Sequence, residues 1–366
     1  MNNILKNFIT PMEKDKILFI CGTMNTTTML HQIAKELENE YDCYFTHMYA
    51  DGLIGYLGKK DLLNFVPLSG KVKYNTIEYF KKNNLKIDFY GSTNDYSLVV
   101  TCTDLIIPNN VKNTKIVHVQ EGMTDPEDFR YLLAKYMKVP RYIASTSVMG
   151  LSDEYDYFCV ASDGYKDLFI RKGVKSEKIV VTGLPNFDNF AKYKNNNFPY
   201  KNFALVATSD TRETFKYENR KAFIEKAKKL SKGKQLIFKL HPNENHKRAT
   251  KEINKYAPGA LVYTDANIWE MIANCDILIT KYSTVVYAGL ALGKEVYSDI
   301  DINELKKLIP NQNNGQSAKN IAEVCRKVIK ENIISQRDNL LKFEPLNFFK
   351  IALEQYSKYL NNKVAL

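Results

Sequence analysis

Short unbroken apolar runs alternate along this chain with longer segments whose apolar residues recur at helical spacing. Lys16–Cys21 is a continuous apolar run, the pattern of a parallel strand covered on both faces. Gly22-Thr23-Met24-Asn25 follows as a turn, and a helix is predicted from Thr26, with Met29, Ile33 and Leu37 on one face. Further strands are predicted at Cys43–Met48, Leu98–Thr101, Lys115–Val119, Tyr157–Val160 and Lys178–Thr182, the last running into Gly183-Leu184-Pro185. Asp125 as N-cap and Pro126 behind it predict a helix whose buried face is Phe129, Leu132, Leu133 and Tyr136.

Lys192–Asn202 is polar and Asn-rich and reads as a linker. The alternation then restarts. Strands are predicted at Phe203–Ala207, Gln235–Leu240, Leu261–Tyr263 and Asp276–Thr280, with helices at Glu218–Leu230, His246–Tyr256, Ile268–Asn274 and Val285–Leu292. A last helix is predicted over Pro345–Leu360. This predicts an α/β protein of two Rossmann-like domains facing across a cleft. The expected partition is 1–191, an acceptor domain, and 203–343, a nucleotide-donor domain. Residues 344–366 are expected to cross back onto the first.

Composition narrows the class. A length of 366 residues with 45% hydrophobic and 25% charged content suits two folded domains. Met1–Leu18 lacks the apolar block of a secretory signal, and no stretch approaches the roughly 20 apolar residues of a membrane span. The six cysteines, among them Cys21, Cys102 and Cys275, form no CxxC pair, so reduced buried thiols in a cytoplasmic protein are expected. The net charge of +11 reads either as a solvated lysine face or as attraction to an anionic membrane or phosphorylated carrier. No nucleic-acid-binding module accompanies it.

In parallel α/β sheets ligands bind beyond the carboxyl ends of the strands. Four polar clusters fall there. Ser283-Thr284 opens a helix, where unpaired N–H groups suit phosphate, although Ser and Thr are also plain N-caps. Lys239-Leu240-His241-Pro242-Asn243-Glu244 ends a strand and offers an imidazole to a phosphate or a leaving group. Thr208-Ser209-Asp210-Thr211-Arg212 offers a guanidinium, or merely a solvated turn. His118-Val119-Gln120-Glu121-Gly122 presents a carboxylate as a candidate base. The loop Gly22-Thr23-Met24-Asn25 suits acceptor contact and helix capping equally. Asp299-Ile300-Asp301 could hold a metal, but its helix-opening position suits an N-cap.

These residues resemble the non-hydrolysing UDP-GlcNAc 2-epimerases and their glycosyltransferase relatives of the GT-B type. Cys21-Gly22-Thr23, His118–Gly122, Val181-Thr182-Gly183, His241-Pro242-Asn243 and the stretch from Cys275 through Ser283 to Lys294 carry the resemblance. The epimerase glutamate falls on Gln120, and the epimerase His-Arg stretch falls near Asp210–Glu213 without its histidine. Gln120-Glu121-Gly122, His241-Pro242 and Ser283-Thr284 resemble motifs of bacterial sialyltransferases, which use CMP-activated sugars. Leu240-His241-Pro242 and Ile279–Thr284 also resemble glycerophosphotransferases acting on CDP-glycerol.

The resemblance implies a metal-independent inverting glycosyltransferase of surface-glycan synthesis. Its partners would be a UDP- or CMP-linked sugar donor, a glycan or lipid-linked acceptor and the inner face of the membrane, with no cofactor. The alternatives are a CDP-polyol phosphotransferase, an epimerase-like enzyme and an inactive nucleotide-sugar-binding protein. Glu121 and His241 are the expected catalytic residues. Donor binding is expected at Thr182, Gly183, Thr208, Arg212, Lys239, His241, Pro242, Asn243, Tyr282, Ser283 and Thr284, and acceptor binding at Gly22, Thr23, Asn25, His118 and Gln120.

Overall fold

The computed structural model describes residues 14–63, 67–137, 139–209, 211–213 and 217–342. The predicted helix Pro345–Leu360 and Asp210 lie outside the described residues. The first half holds a seven-stranded sheet, in the order β3-β2-β1-β4-β5-β6-β7. Its strands are β1 (Lys16–Cys21), β2 (Asp42–His47), β3 (Lys86–Ile87), β4 (Leu98–Thr101), β5 (Ile116–Val119), β6 (Tyr157–Val160) and β7 (Ile179–Val181). The second half holds a five-stranded sheet, in the order β10-β9-β8-β11-β12. These strands are β8 (Ala204–Ala207), β9 (Leu236–Lys239), β10 (Leu261–Tyr263), β11 (Ile277–Ile279) and β12 (Glu295–Tyr297). Every pairing is parallel, so both faces must be covered, which is why β1, β4 and β5 are almost wholly apolar and buried.

Helices α1 (Met24–Lys35), α2 (Gly52–Lys59), α3 (Gly70–Lys82), α4 (Phe129–Tyr136) and α5 (Asp163–Lys172) belong to the first half. Helices α6 (Arg220–Leu230), α7 (His246–Tyr256), α8 (Ile268–Asn274), α9 (Val285–Ala291) and α10 (Ile302–Lys307) belong to the second, and α11 spans Ser317–Lys342. Two predicted helix starts differ. Thr23, not the segment after it, caps α1, its hydroxyl accepting from Thr26 N–H. Asp128, not Asp125, caps α4, accepting from the N–H groups of Arg130 and Tyr131. The buried face also differs from the predicted one: Phe129 and Tyr136 are each 70% exposed and Leu132 is exposed, while Tyr131 is buried against Ala144 and Val148.

The return to the first half comes earlier than residue 344. Asn311 N–H donates to Ala161 O at 2.9 Å, Ser317 N–H to Asp188 at 2.8 Å, and Arg326 pairs with Glu40 at 2.8 Å. Helix α11 packs on α1 and β4. Its buried Ile321, Cys325 and Val328 explain why: they need an apolar cover, and the first sheet supplies it.

The halves are tightly joined. Tyr165 of α5 and Tyr287 of α9 share a hydrogen bond of 2.6 Å between hydroxyls, both rings buried. Gly164 lies so close to α10 that a Cβ there would stand 1.8 Å from Lys307 O. Trp269 of α8 packs among Phe187, Phe190 and Tyr193. One apolar core therefore runs through both halves, and a second lies between β8, β9, β11, α6 and α7. All six cysteines are buried free thiols. Among the described residues no helix is long and apolar enough to cross a membrane.

Candidate active site

In the first sheet the strand order reverses between β1 and β4, so a crevice opens beyond their carboxyl ends. A cavity of about 340 Å³ lies there, lined by Gly22, Thr23, Thr26, Cys102, Thr103 and Glu121 among others. Glu121 follows β5. Thr23 Oγ1 donates to Glu121 Oε1 at 3.4 Å, and Asn25 Nδ2 donates to Glu121 O at 3.2 Å. Burial disfavours the carboxylate and pushes its pKa up to about 7, the charge of Asp125 adding to this and the Thr23 hydroxyl opposing it. A carboxyl group balanced between its two forms near neutrality suits proton transfer.

The neighbours predicted to touch the acceptor do something else. Residues two apart on a strand share a face, and His118 and Gln120 both point into the core. The His118 ring stacks on Phe158 with centroids 4.4 Å apart, and burial lowers its pKa. The Gln120 amide accepts from Ala161 N–H at 2.9 Å and donates to Gly122 O at 2.7 Å, which fixes the loop that carries Glu121. Both are corrected from acceptor ligands to supports. Gly22, Thr23 and Thr26 do line the crevice, and Asn25 binds the backbone beside it.

In the second sheet the order reverses between β8 and β11. Thr208, just after β8, accepts from His241 N–H at 3.1 Å and donates to Glu244 Oε2 at 2.6 Å. Glu244 is buried and pairs with Arg220, which also meets Glu218 at 2.7 Å. The His241-Pro242-Asn243-Glu244 turn is thus anchored from below. Asn243 N–H donates to His241 Nδ1 at 3.2 Å, so the neutral ring carries its proton on Nε2. Sequence reasoning included Glu244 in the strand-end stretch without a role of its own, and missed Arg220 and Glu218. The signal available was weak: Glu218 and Arg220 sit at the start of α6, and only Glu244 follows a strand closely.

Arg212 and Lys239 are corrected. The Arg212 fork is held by both oxygens of Glu252, at 3.0 and 2.8 Å. Lys239 is buried and donates to Leu240 O at 2.9 Å and Thr264 O at 3.0 Å. Both cations satisfy protein acceptors, because a buried charge needs a partner at hand. Thr182 and Gly183 are covered as well: Asn313 and Asn320 donate to Thr182 O, and a Cβ on Gly183 would stand 2.2 Å from Ser317 Oγ.

Ser283 and Thr284 open α9, and Thr284 caps it without a side-chain hydrogen bond. A Cβ on Gly122 would lie 3.4 Å from Thr284 Cγ2, so the Glu121 loop and the α9 start face each other directly. Tyr282 hydroxyl donates to Thr124 O across the same junction. Thr280, at the end of β11, is buried, and its Oγ1 has no hydrogen-bond partner among the described residues. Asp301 caps α10, accepting from the N–H groups of Asn303 and Glu304, and Asp299 pairs with Lys226 at 3.1 Å. Among the described residues no group of three or more His, Cys, Asp and Glu side chains is placed to hold a metal.

The family profile of CDP-glycerol:poly(glycerophosphate) glycerophosphotransferases matches residues 5–294. Among solved structures, the UDP-GlcNAc 2-epimerase of Neisseria meningitidis bound to UDP-GlcNAc is 12% identical with a TM-score of 0.51, over 85% of this chain and 100% of that one. Another UDP-N-acetylglucosamine 2-epimerase is 13% identical with a TM-score of 0.50, over 89% of this chain and 97% of that one. The wall teichoic acid polymerase TagF is 16% identical with a TM-score of 0.48, over 87% of this chain and 90% of that one. The epimerase likenesses show the expected two-domain GT-B fold. No curated protein matches the sequence.

Proposed function

This chain belongs to the CDP-glycerol:poly(glycerophosphate) glycerophosphotransferase family, and on that premise we propose that it transfers a polyol phosphate from a CDP-linked donor to an acceptor hydroxyl. The observation that carries the reading is the position of Glu121. Its carboxyl group, raised to about 7, stands at the crevice of the first sheet, and the next residue, Gly122, packs against the start of α9 in the second half. The acceptor hydroxyl attacks the phosphorus that bears the polyol. The bond from that phosphorus to the bridging oxygen breaks, CMP leaves with the bond's electron pair, and the hydroxyl proton passes to Glu121. His241, with its proton on Nε2, and the Ser283 and Thr284 hydroxyls before α9 are the groups offered to the departing phosphate.

The scheme needs no metal, since these donors supply the charge stabilisation. Turnover abolished by a chelator and restored by manganese would overturn that part. The deciding experiment uses CDP-glycerol labelled at the glycerol-bearing phosphorus. Label transferred into the acceptor product supports the reading. Label released wholly with the nucleotide contradicts it and favours glycosyl transfer, the alternative raised by the sequence.

The acceptor side also suits a membrane surface. Exposed Phe129, Leu132 and Tyr136 on α4 stand beside Arg130 and Lys135, and exposed Leu53 and Tyr56 on α2 stand beside Lys59 and Lys60. Apolar side chains ringed by cations suit an anionic interface.

A further inference from the structure

The crevice that holds Glu121 carries six hydroxyl side chains on its wall: Thr23, Thr26, Thr103, Tyr142, Ser145 and Thr146. Four are engaged by the protein. Thr23 donates to Glu121 Oε1 at 3.4 Å, and Thr26 donates to Thr23 O at 2.9 Å. Thr103 Oγ1 accepts from Leu105 N–H at 3.3 Å, and Thr146 donates to Asp125 Oδ2 at 2.9 Å. Among the described residues the hydroxyls of Tyr142 and Ser145 have no hydrogen-bond partner. Both belong to the segment between α4 and β6.

Ser145 is also held in an unusual backbone. Its φ is +53°, in the left-handed region that a Cβ disfavours and that glycine enters freely. Of the non-glycine residues with positive φ among the described residues, Ser145 alone lines this crevice. The residues on either side impose the conformation. Ala144 and Val148 are buried against Tyr131. Ser147 Oγ donates to Ala144 O at 2.6 Å, and Ser147 O accepts from Lys172 Nζ at 2.7 Å. Thr146 Oγ1 also accepts from Asp125 N–H at 2.9 Å. Strain fixed by its surroundings in this way gathers at functional positions. A turn needed only for its shape would be served better by glycine. Serine keeps the strain and adds a hydroxyl to the wall that Glu121 shares.

We propose that Ser145 and Tyr142 select the acceptor: they hold a second hydroxyl of the acceptor beside the one presented to Glu121, so that an alcohol lacking it binds poorly. The direction of attack rests on the transferase reading, whereas the selection itself needs no donor.

The test therefore measures binding without donor, by ligand-observed NMR. The probes are hexyl glyceryl ether, which ends in two neighbouring hydroxyls, and hexyl hydroxypropyl ether, which keeps the terminal hydroxyl alone. The wild type should bind the first roughly tenfold more tightly, the worth of one to two neutral hydrogen bonds. Ser145→Gly and Tyr142→Phe should each narrow that ratio about threefold or more by weakening the diol alone. Ser145→Gly should melt no lower than wild type, because the strain leaves with the hydroxyl. Equal binding of the two ethers by the wild type would overturn the proposal, as would no binding of either or a ratio unchanged in either variant. So would a Ser145→Gly variant that melts lower and loses both ethers together, since the serine would then shape the crevice and not contact the acceptor. If the diol is selected as expected but receives nothing from CDP-glycerol, the transferase reading fails and the selecting pair stands.

Discussion

Gly122 and Thr284 meet where the two halves of the chain touch, with only 3.4 Å between a Cβ placed on the glycine and Thr284 Cγ2. The contact puts the Glu121 loop of the first sheet against the opening of α9 in the second. A larger side chain at position 122 must push the α9 start away. Gly122→Leu should therefore raise the donor KM and lower kcat together, with a modest loss in melting temperature. Steady-state kinetics beside a thermal melt would check this.

Glu121 should cost the protein stability when ionised. Its carboxyl pKa is raised to about 7 in the folded chain, against about 4.5 for a free group. Between those values the folded state holds a proton that the unfolded state has lost, so this group's contribution falls as pH rises from about 4.5 to 7 and stays low above that. Glu121→Gln removes the ionisation. The variant should melt higher than wild type at pH 8, with the difference shrinking toward pH 5. Melting curves across that range would check the sign.

The His241 turn should depend on a residue that never touches substrate. Glu244 holds Thr208 Oγ1 at 2.6 Å, and Thr208 in turn accepts from His241 N–H at 3.1 Å. Glu244→Ala also leaves Arg220 short of a partner in the interior. The expected loss is up to about 3–5 kcal/mol in chemical denaturation. Thr208→Val keeps the ion pair but removes a donor from the buried Glu244 carboxylate, and should raise the donor KM with a smaller loss of about 1–3 kcal/mol.

Much of this architecture was legible in the sequence, because parallel strands buried on both faces leave unbroken apolar runs such as Lys16–Cys21. The strand ends also located Glu121 and His241. What the sequence hid was the direction of side chains beyond a strand. His118, Gln120, Lys239 and Arg212 all carry groups suited to ligands, and each is turned toward a partner distant in sequence: the Phe158 ring, Ala161 N–H, Thr264 O and Glu252. The exposed face of α4 was misread for a similar reason: Tyr131 packs on Ala144 and Val148, and that distant contact turns Phe129, Leu132 and Tyr136 outward.

Gly183 should be intolerant of a side chain. Its φ is +75°, and a Cβ there would stand 2.2 Å from Ser317 Oγ and 2.4 Å from Asn313 Nδ2. Gly183→Ala should cost at least about 1–2 kcal/mol from the left-handed backbone alone, and more from the collision. Protease sensitivity near the start of α11 should rise with it.

Binding to anionic vesicles should fade as salt is raised, since the screening length falls to about 8 Å at physiological ionic strength. Phe129→Ser/Tyr136→Ser should weaken it at every salt concentration. Flotation with phosphatidylglycerol and phosphatidylcholine vesicles would check both effects.

The central claim is that Glu121 takes the acceptor proton. It is tested most directly by the pH dependence of transfer from CDP-glycerol in wild type and Glu121→Gln, with donor affinity measured alongside. Wild-type kcat/KM should climb to a plateau with a midpoint near 7, as the carboxylate forms. Glu121→Gln should bind donor as tightly, turn over roughly 10²–10⁴-fold more slowly and lose that limb of the profile. Near-wild-type turnover by Glu121→Gln, with the limb intact, would contradict the account.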